Sequence, residues 1–167
     1  ACILSVGRGI VSMTLSRAQR KGCMRVQSEG AKALSELAYR LEDNKIRITK
    51  AGGIEALMEA MACPEVRVSR IPLESFRALF SLAICADSKK RMVAIGVIPF
   101  VISVMRAQAR ISASVQDHGC RLLAELMFNN KRHVEIVRRS GGVSAIFMGV
   151  IENSNQMSDD PAECNGL

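Results

Sequence analysis

Tryptophan is absent from this chain, and its 167 residues include only one tyrosine and five phenylalanines. A core so poor in aromatics has to be built from Leu, Ile, Val, Met and Ala. The same scarcity argues against a single-strand nucleic-acid binder, which stacks bases on aromatic platforms. Histidine is nearly missing too. His118 and His133 are the only two, leaving little general-base potential, and no Ser or Cys nucleophile stands in a recognisable motif. No enzymatic activity is expected.

Cysteine occurs at positions 2, 23, 63, 85, 120 and 164 but never as Cys-x-x-Cys. Zinc needs clustered ligands, and the nearest approach to a cluster is Asp117-His118-Gly119-Cys120. Adjacent residues of a helix point in different directions, so this string reads as a surface-to-core transition. No metal and no other cofactor is expected. The scattered cysteines, several within apolar patterns, read as free thiols of a reducing, intracellular compartment. Cytoplasm or nucleus is the default expectation, or an organelle if the start at Ala1 reflects processing. A membrane span is missing as well. The longest uncharged run, Met92 to Met105, has 14 residues and is broken by Gly96 and Pro99, whereas a spanning helix needs roughly 20.

What the chain does have is apolar bulk and positive charge. Apolar residues make up 49% and charged ones 23%, the usual globular balance, which excludes wholesale disorder. Lys and Arg total 23 against 16 Asp and Glu, a net of +7. Four of those acids (Glu152, Asp159, Asp160 and Glu163) lie in residues 152–167, which hold no Lys or Arg. Residues 1–151 therefore set 23 cations against 12 acids, a net of +11. A basic body favours acidic partners.

The chain also repeats itself. Val26-Gln27-Ser28-Glu29-Gly30-Ala31-Lys32-Ala33-Leu34-Ser35-Glu36-Leu37 returns as Val115-Gln116-Asp117-His118-Gly119-Cys120-Arg121-Leu122-Leu123-Ala124-Glu125-Leu126, at an offset of 89. Halfway between stands Ile71-Pro72-Leu73-Glu74-Ser75-Phe76-Arg77-Ala78-Leu79-Phe80-Ser81-Leu82, so the period is 44 to 45 residues. Each copy carries apolar or small residues at the spacing of one helix face. The small residue at its fifth position (Gly30, Ser75, Gly119) lets a neighbouring helix approach closely. Ala51-Gly52-Gly53-Ile54, Ile95-Gly96-Val97-Ile98 and Ser140-Gly141-Gly142-Val143 recur in step, with a weaker Gly7-Arg8-Gly9-Ile10 before them. These glycines read as helix stops. A phosphate loop is excluded, because no strand precedes them and no Lys-Ser/Thr follows. Asp43-Asn44, Asp87-Ser88 and Asn129-Asn130 are positioned to cap the short helices that precede the glycines.

The expected unit is a short helix, a Gly turn, a second helix and a longer third helix, roughly 44–50, 54–62 and 68–85 in the second copy. Pro64 ends the second helix there, and Pro72 sits in the first turn of the third or bends it. The copies span roughly 1–41, 42–86 and 87–130, with a partial one over 131–151. Residues 152–167 are polar and acidic and read as a disordered or draped tail.

This phased pattern resembles the armadillo repeat family over essentially residues 1–151. It combines a short helix, Gly-Gly-Ile/Val, an apolar helix, then Val-Gln and an Ala/Leu-rich helix ending Leu-Ala. The third helix after the Gly pair argues against the related family with two helices per unit. The resemblance implies an all-α fold, a right-handed α-solenoid of three to four short repeats whose third helices line a concave groove. It also implies a non-enzymatic scaffold or adaptor for protein–protein interaction, free or as a fixed subunit of a larger assembly. In the family's nuclear-import adaptors, a Trp and an Asn four residues later on the third helix grip extended basic peptides. The matching positions here are Lys32 and Glu36, Arg77 and Ser81, and Arg121 and Glu125. None is Trp or Asn, so no site residue carries over.

Those six residues still form a pattern. Lys32, Arg77 and Arg121 recur 45 and 44 residues apart, so stacking the third helices aligns them as a row for an acidic or extended partner segment. Phe147 and Ile151 fall where the partial fourth copy leaves an apolar edge, which either the tail folds over or a partner covers. A nucleic-acid-binding helical repeat is the alternative that the basic body supports.

Overall fold

The chain is all-helical in a computed structural model that describes residues 24–39, 41–62 and 70–158. Nine helices and no strand lie among the described residues. They are α1 (Met24–Tyr39), α2 (Glu42–Lys50), α3 (Gly53–Met61), α4 (Ile71–Ala83), α5 (Ala86–Ala94), α6 (Val97–Gln108), α7 (Ala113–Met127), α8 (Lys131–Arg139) and α9 (Gly142–Ser158). The opening of the first repeat with Gly7-Arg8-Gly9-Ile10, Pro64, the cysteines at 2, 23, 63 and 164, and the tail from residue 159 lie outside the described residues.

The helices come in the expected phase. The first helices α2, α5 and α8 have nine residues each, and each ends two residues before a glycine in the left-handed region. Those glycines are Gly52 at φ 82°, Gly96 at 83° and Gly141 at 73°, a conformation that costs any residue with a Cβ. Pro72 lies in the first turn of α4, where its missing N–H is not needed. The third helix of that repeat is shorter than its expected 68–85 span, ending at Ala83.

Two expectations need correction. Asp43-Asn44 and Asp87-Ser88 do not cap α2 and α5. The cap positions are Leu41 and Cys85, and neither makes a side-chain cap bond. Asn44 and Ser88 instead turn inward. Asn44 Nδ2 donates to Leu37 O at 2.9 Å, and Ser88 Oγ lies 2.7 Å from Thr49 Oγ1. Only Asn130 caps as expected, accepting from His133 N at 3.1 Å. Ser112, which the repeat pattern does not mark, caps α7 by accepting from Val115 N. The second correction is at the boundary placed after Ile151. α9 runs on to Ser158, since no Gly or Pro interrupts residues 150–158 and Glu152 is anchored by Arg110 Nε at 3.0 Å.

The long helices form the spine. α1 packs along α4 and α4 along α7, while α4 and α7 also lie against α3 and α6, the second helices of their own repeats. Leu34, Leu79 and Leu123 hold equivalent positions and are all fully buried. Gly119 accounts for the close approach around α7. A Cβ there would stand 2.8 Å from Met105 Cγ on α6 and 3.1 Å from Phe76 Cε2 on α4. The uncharged run from Met92 to Met105 is divided between α5 and α6, which meet at a 74° bend. Among the described residues no single helix is long and apolar enough to cross a membrane.

Three substitutions test this packing by urea unfolding. Leu79→Ala should lose about 2–5 kcal/mol as a core truncation. Gly96→Ala should lose about 1–2 kcal/mol by placing a Cβ in the left-handed region. Ser75, on the same helix as Leu79, has a buried hydroxyl with no hydrogen-bond partner. Ser75→Ala should therefore hold or raise stability. Equal losses at Leu79 and Ser75 would contradict the placement of both.

Candidate functional site

The third helices present one face to solvent, and the phased residues occupy it unevenly. Lys32 and Glu36 on α1 and Arg121 on α7 are exposed, and Arg77 on α4 is half-buried. Glu36 Oε1 lies 3.8 Å from Arg77 Nη2, so the face is continuous from α1 to α4. Arg77 is held from below as well, donating from Nη1 to Glu74 Oε2 at 3.1 Å. The Glu74 side chain is 4% exposed against 39% for Arg77. The buried carboxylate thus anchors a guanidinium whose outer edge stays open. Arg121 is paired along its own helix, with Nε 3.0 Å from Asp117 Oδ1. Lys32 has no ion-pair partner among the described residues.

Two of the six phased residues are drawn away from that row. Ser81 is buried and donates from Oγ to Arg77 O at 3.1 Å, so it lies beneath the row. Glu125 faces the first helix of its repeat, where Lys89 Nζ donates to its Oε1 at 2.7 Å and to its main-chain O at 2.9 Å. The surface that remains is Lys32, Glu36, Arg77, Arg121 and Asp117. It is of mixed sign rather than a bare cationic track.

Positive charge elsewhere is partly neutralised within the fold. Arg91 reaches across to Glu55 Oε1 on α3. Arg138 and Arg139 both donate to Glu135, and these bonds, that from Arg138 foremost, hold its carboxyl down at about 2.

Both histidines are tied to main-chain carbonyls. His133 Nδ1 lies 2.7 Å from Leu126 O. Only a protonated nitrogen can donate to a carbonyl, so Nε2 is left to accept from Asn130 Nδ2 at 3.2 Å. His118 Nδ1 lies 2.9 Å from Ser114 O. In the string Asp117-His118-Gly119-Cys120, Asp117 turns to Arg121 and Gly119 packs inside. Among the described residues no group of three His, Cys, Asp or Glu side chains is arranged to hold a metal.

The C-terminal edge has a different character. Val143 and Phe147 on α9 are about two-thirds exposed, and Val150 and Ile151 follow them on the exposed side. Ile146 is half-buried against the core. A cleft of about 310 Å³ runs between α7 and α9, lined by Ala113, Gln116, Asp117, Cys120, Ile146, Gly149 and Val150. Cys85 and Cys120 are unpaired thiols. Cys120 faces this cleft, where burial first and the Asp117 carboxylate second push its thiol up.

The repeat pattern did not reveal the residues that join the repeats. Asn44, Ser88 and His133 stand 44 and 45 residues apart, and each makes a hydrogen bond to another helix or to the preceding third helix. Aligning the short helices on their Gly turns brings the three into one column, but their chemistries differ too much to stand out as a motif. No protein-family model matches this chain, and no curated protein or solved structure matches it.

Alkylation tests the Cys120 environment. The thiolate is the reacting species, so the pH midpoint for iodoacetamide labelling of Cys120 should lie above that of a free cysteine, about 8.5. Asp117→Asn removes the smaller of the two influences and should lower the midpoint only part of the way. A midpoint at or below the free-thiol value would refute the burial.

Proposed function

We propose that the chain is an armadillo-type, right-handed α-solenoid of three to four repeats that serves as a non-enzymatic scaffold for protein–protein interaction. The observation that carries this reading is the in-phase packing of α1, α4 and α7, with Lys32, Glu36, Arg77 and Arg121 on their solvent side. Stacked repeats build long surfaces of this kind. Both imidazoles are engaged by carbonyls, which suits a binding role better than proton transfer. The unpaired thiols of Cys85 and Cys120 suit a reducing, intracellular compartment.

The mixed charge of the row refines the partner. Exposed ion pairs such as Arg121–Asp117 contribute only about 0.2–1 kcal/mol, so a ligand carboxylate can replace the internal partner at small cost. Arg77 is already oriented by Glu74, which lowers the entropy lost on binding. An extended segment carrying spaced acidic residues fits this row, whereas a uniformly acidic one would meet Glu36 and Asp117. The outer stripe of α9, Phe147 and Ile151, is a second contact in this reading, suited to a partner that covers the edge.

Nucleic acid is the competing ligand, and one pair of titrations separates them. A fluorescent peptide with Glu at every third position and a fluorescent single-stranded oligonucleotide are each titrated with the chain at several salt concentrations. The peptide should bind, and reversing Lys32, Arg77 and Arg121 to Glu together should weaken it at least about tenfold, or 1.4 kcal/mol. The salt dependence should flatten as well. Phe147→Asp should leave peptide binding by the row unchanged. Tighter oligonucleotide binding with a steep salt slope, or peptide binding indifferent to the triple reversal, would overturn the reading.

A further inference from the structure

The solvent face of α9 is largely apolar. Val143, Phe147 and Ile151 follow one another there at helical spacing, with Met148 and Val150 beside them. Together the five side chains expose roughly 500 Å², a patch of the size that marks an interaction site. Val143 and Phe147 match Ile98 and Ile102 of α6 at an offset of 45. Both isoleucines are 1% exposed. Ile102 is covered by the next repeat at Gly142, where a Cβ would stand 3.2 Å from its Cδ1. Val143 and Phe147 thus hold positions that stacking buries elsewhere in the array. Ile151 breaks the match. Its counterpart is Arg106, which donates from Nη2 to Gly141 O at 3.0 Å and so grips the following turn. An isoleucine cannot make that bond, so this face suits an apolar cover better than a further Gly turn.

Charge and area select the cover. No Asp, Glu, Lys or Arg occurs from Ser140 to Ile151, so two basic chains can meet along α9 without setting like charges together. The two ends of the stripe differ. Arg106 reaches its N-terminal end at Gly141, where Arg138 and Arg139 close α8 and share the single carboxylate of Glu135. At the C-terminal end Arg110 and Glu152 balance one another. We infer that two copies of this chain associate through α9 in an antiparallel, twofold pair centred on Phe147. A parallel pair would bring the two basic ends together. The antiparallel one sets each basic end against the Arg110–Glu152 pair of the other copy and opposes the helix dipoles favourably. Burying the patch on both copies removes about 1,000 Å² from water, the size at which a specific interface begins.

The twofold axis makes a pairwise prediction. Phe147 meets Phe147 of the second copy, and four residues to either side Val143 of one copy meets Ile151 of the other. The inference names the partner for the edge contact proposed above and rests on the same repeat phase, but not on binding by the charged row.

The test is sedimentation equilibrium of the full chain. It should follow a monomer–dimer equilibrium with a Kd of about 1–100 μM, the weak end expected of so small an interface. Phe147→Asp, on the axis, should weaken the dimer at least about tenfold. Val143→Lys and Ile151→Glu, both at exposed positions, test the register. Each alone should weaken self-association, since it sets a charge against an apolar side chain. Mixed, the two variants should pair with each other at least about tenfold more tightly than either pairs with itself. One contact of the mixed dimer joins Lys to Glu and the other keeps Val against Ile, a rescue that no parallel pair offers. Unchanged circular dichroism of each variant excludes misfolding as the cause. Reversal of Lys32, Arg77 and Arg121 should leave the dimer intact, so this inference and the binding proposal fail separately. A chain still monomeric at about 100 μM, a dimer indifferent to Phe147→Asp, or mixing without rescue would each overturn the inference.

Discussion

Close approach at the long helices is the constraint on which the rest of the structure depends. α7 can settle between α4 and α6 only because Gly119 offers no side chain where Met105 and Phe76 converge. With that contact made, Leu122, Leu123 and Leu126 are fully buried, and dispersion and apolar burial from both neighbours act on one helix. The second repeat meets the same need with Ser75, buried although its hydroxyl has no partner. Size outweighs polarity at this position. A hydroxyl without a partner costs less than a bulky group that would hold the helices apart.

The turn glycines serve the same end from outside the core. Gly52, Gly96 and Gly141 take left-handed angles within about 10° of one another, so each second helix leaves its first at a similar angle. The residue after the turn is freer. Gly53 and Gly142 lie close to the main chain of the preceding helix, yet Val97 fills the corresponding place in the third repeat and is fully buried.

Charge is distributed by the same geometry. The excess of Lys and Arg suggests a strongly positive surface, but the fold places acids against cations both within repeats and between them. Arg91 meets Glu55, Lys89 meets Glu125, and Arg77 lies between Glu36 and Glu74. All but Glu74–Arg77 join helices far apart in sequence, and together they leave a row of mixed sign on the third helices. Such a surface discriminates by where its charges stand more than by their sum.

The sequence by itself determined the all-helical class, the 44–45 residue period, the turn glycines and the burial of Leu34, Leu79 and Leu123. These follow from local causes: helix-face periodicity, the steric freedom of glycine, and the preference of leucine for the interior. It also put Lys32, Arg77 and Arg121 at equivalent positions, because periodicity specifies a helix face. What only the tertiary structure decided is which partners those faces meet. Asn44 and Ser88 look like caps in the sequence and became ties between helices, because a packed neighbour offers a buried acceptor that solvent would otherwise have satisfied. Glu125 left the row for Lys89, and Ser81 sank beneath it, through contacts with residues 36 and four positions away. A polar side chain takes the nearest competent partner once water is excluded, and which partner is nearest depends on how the repeats stack.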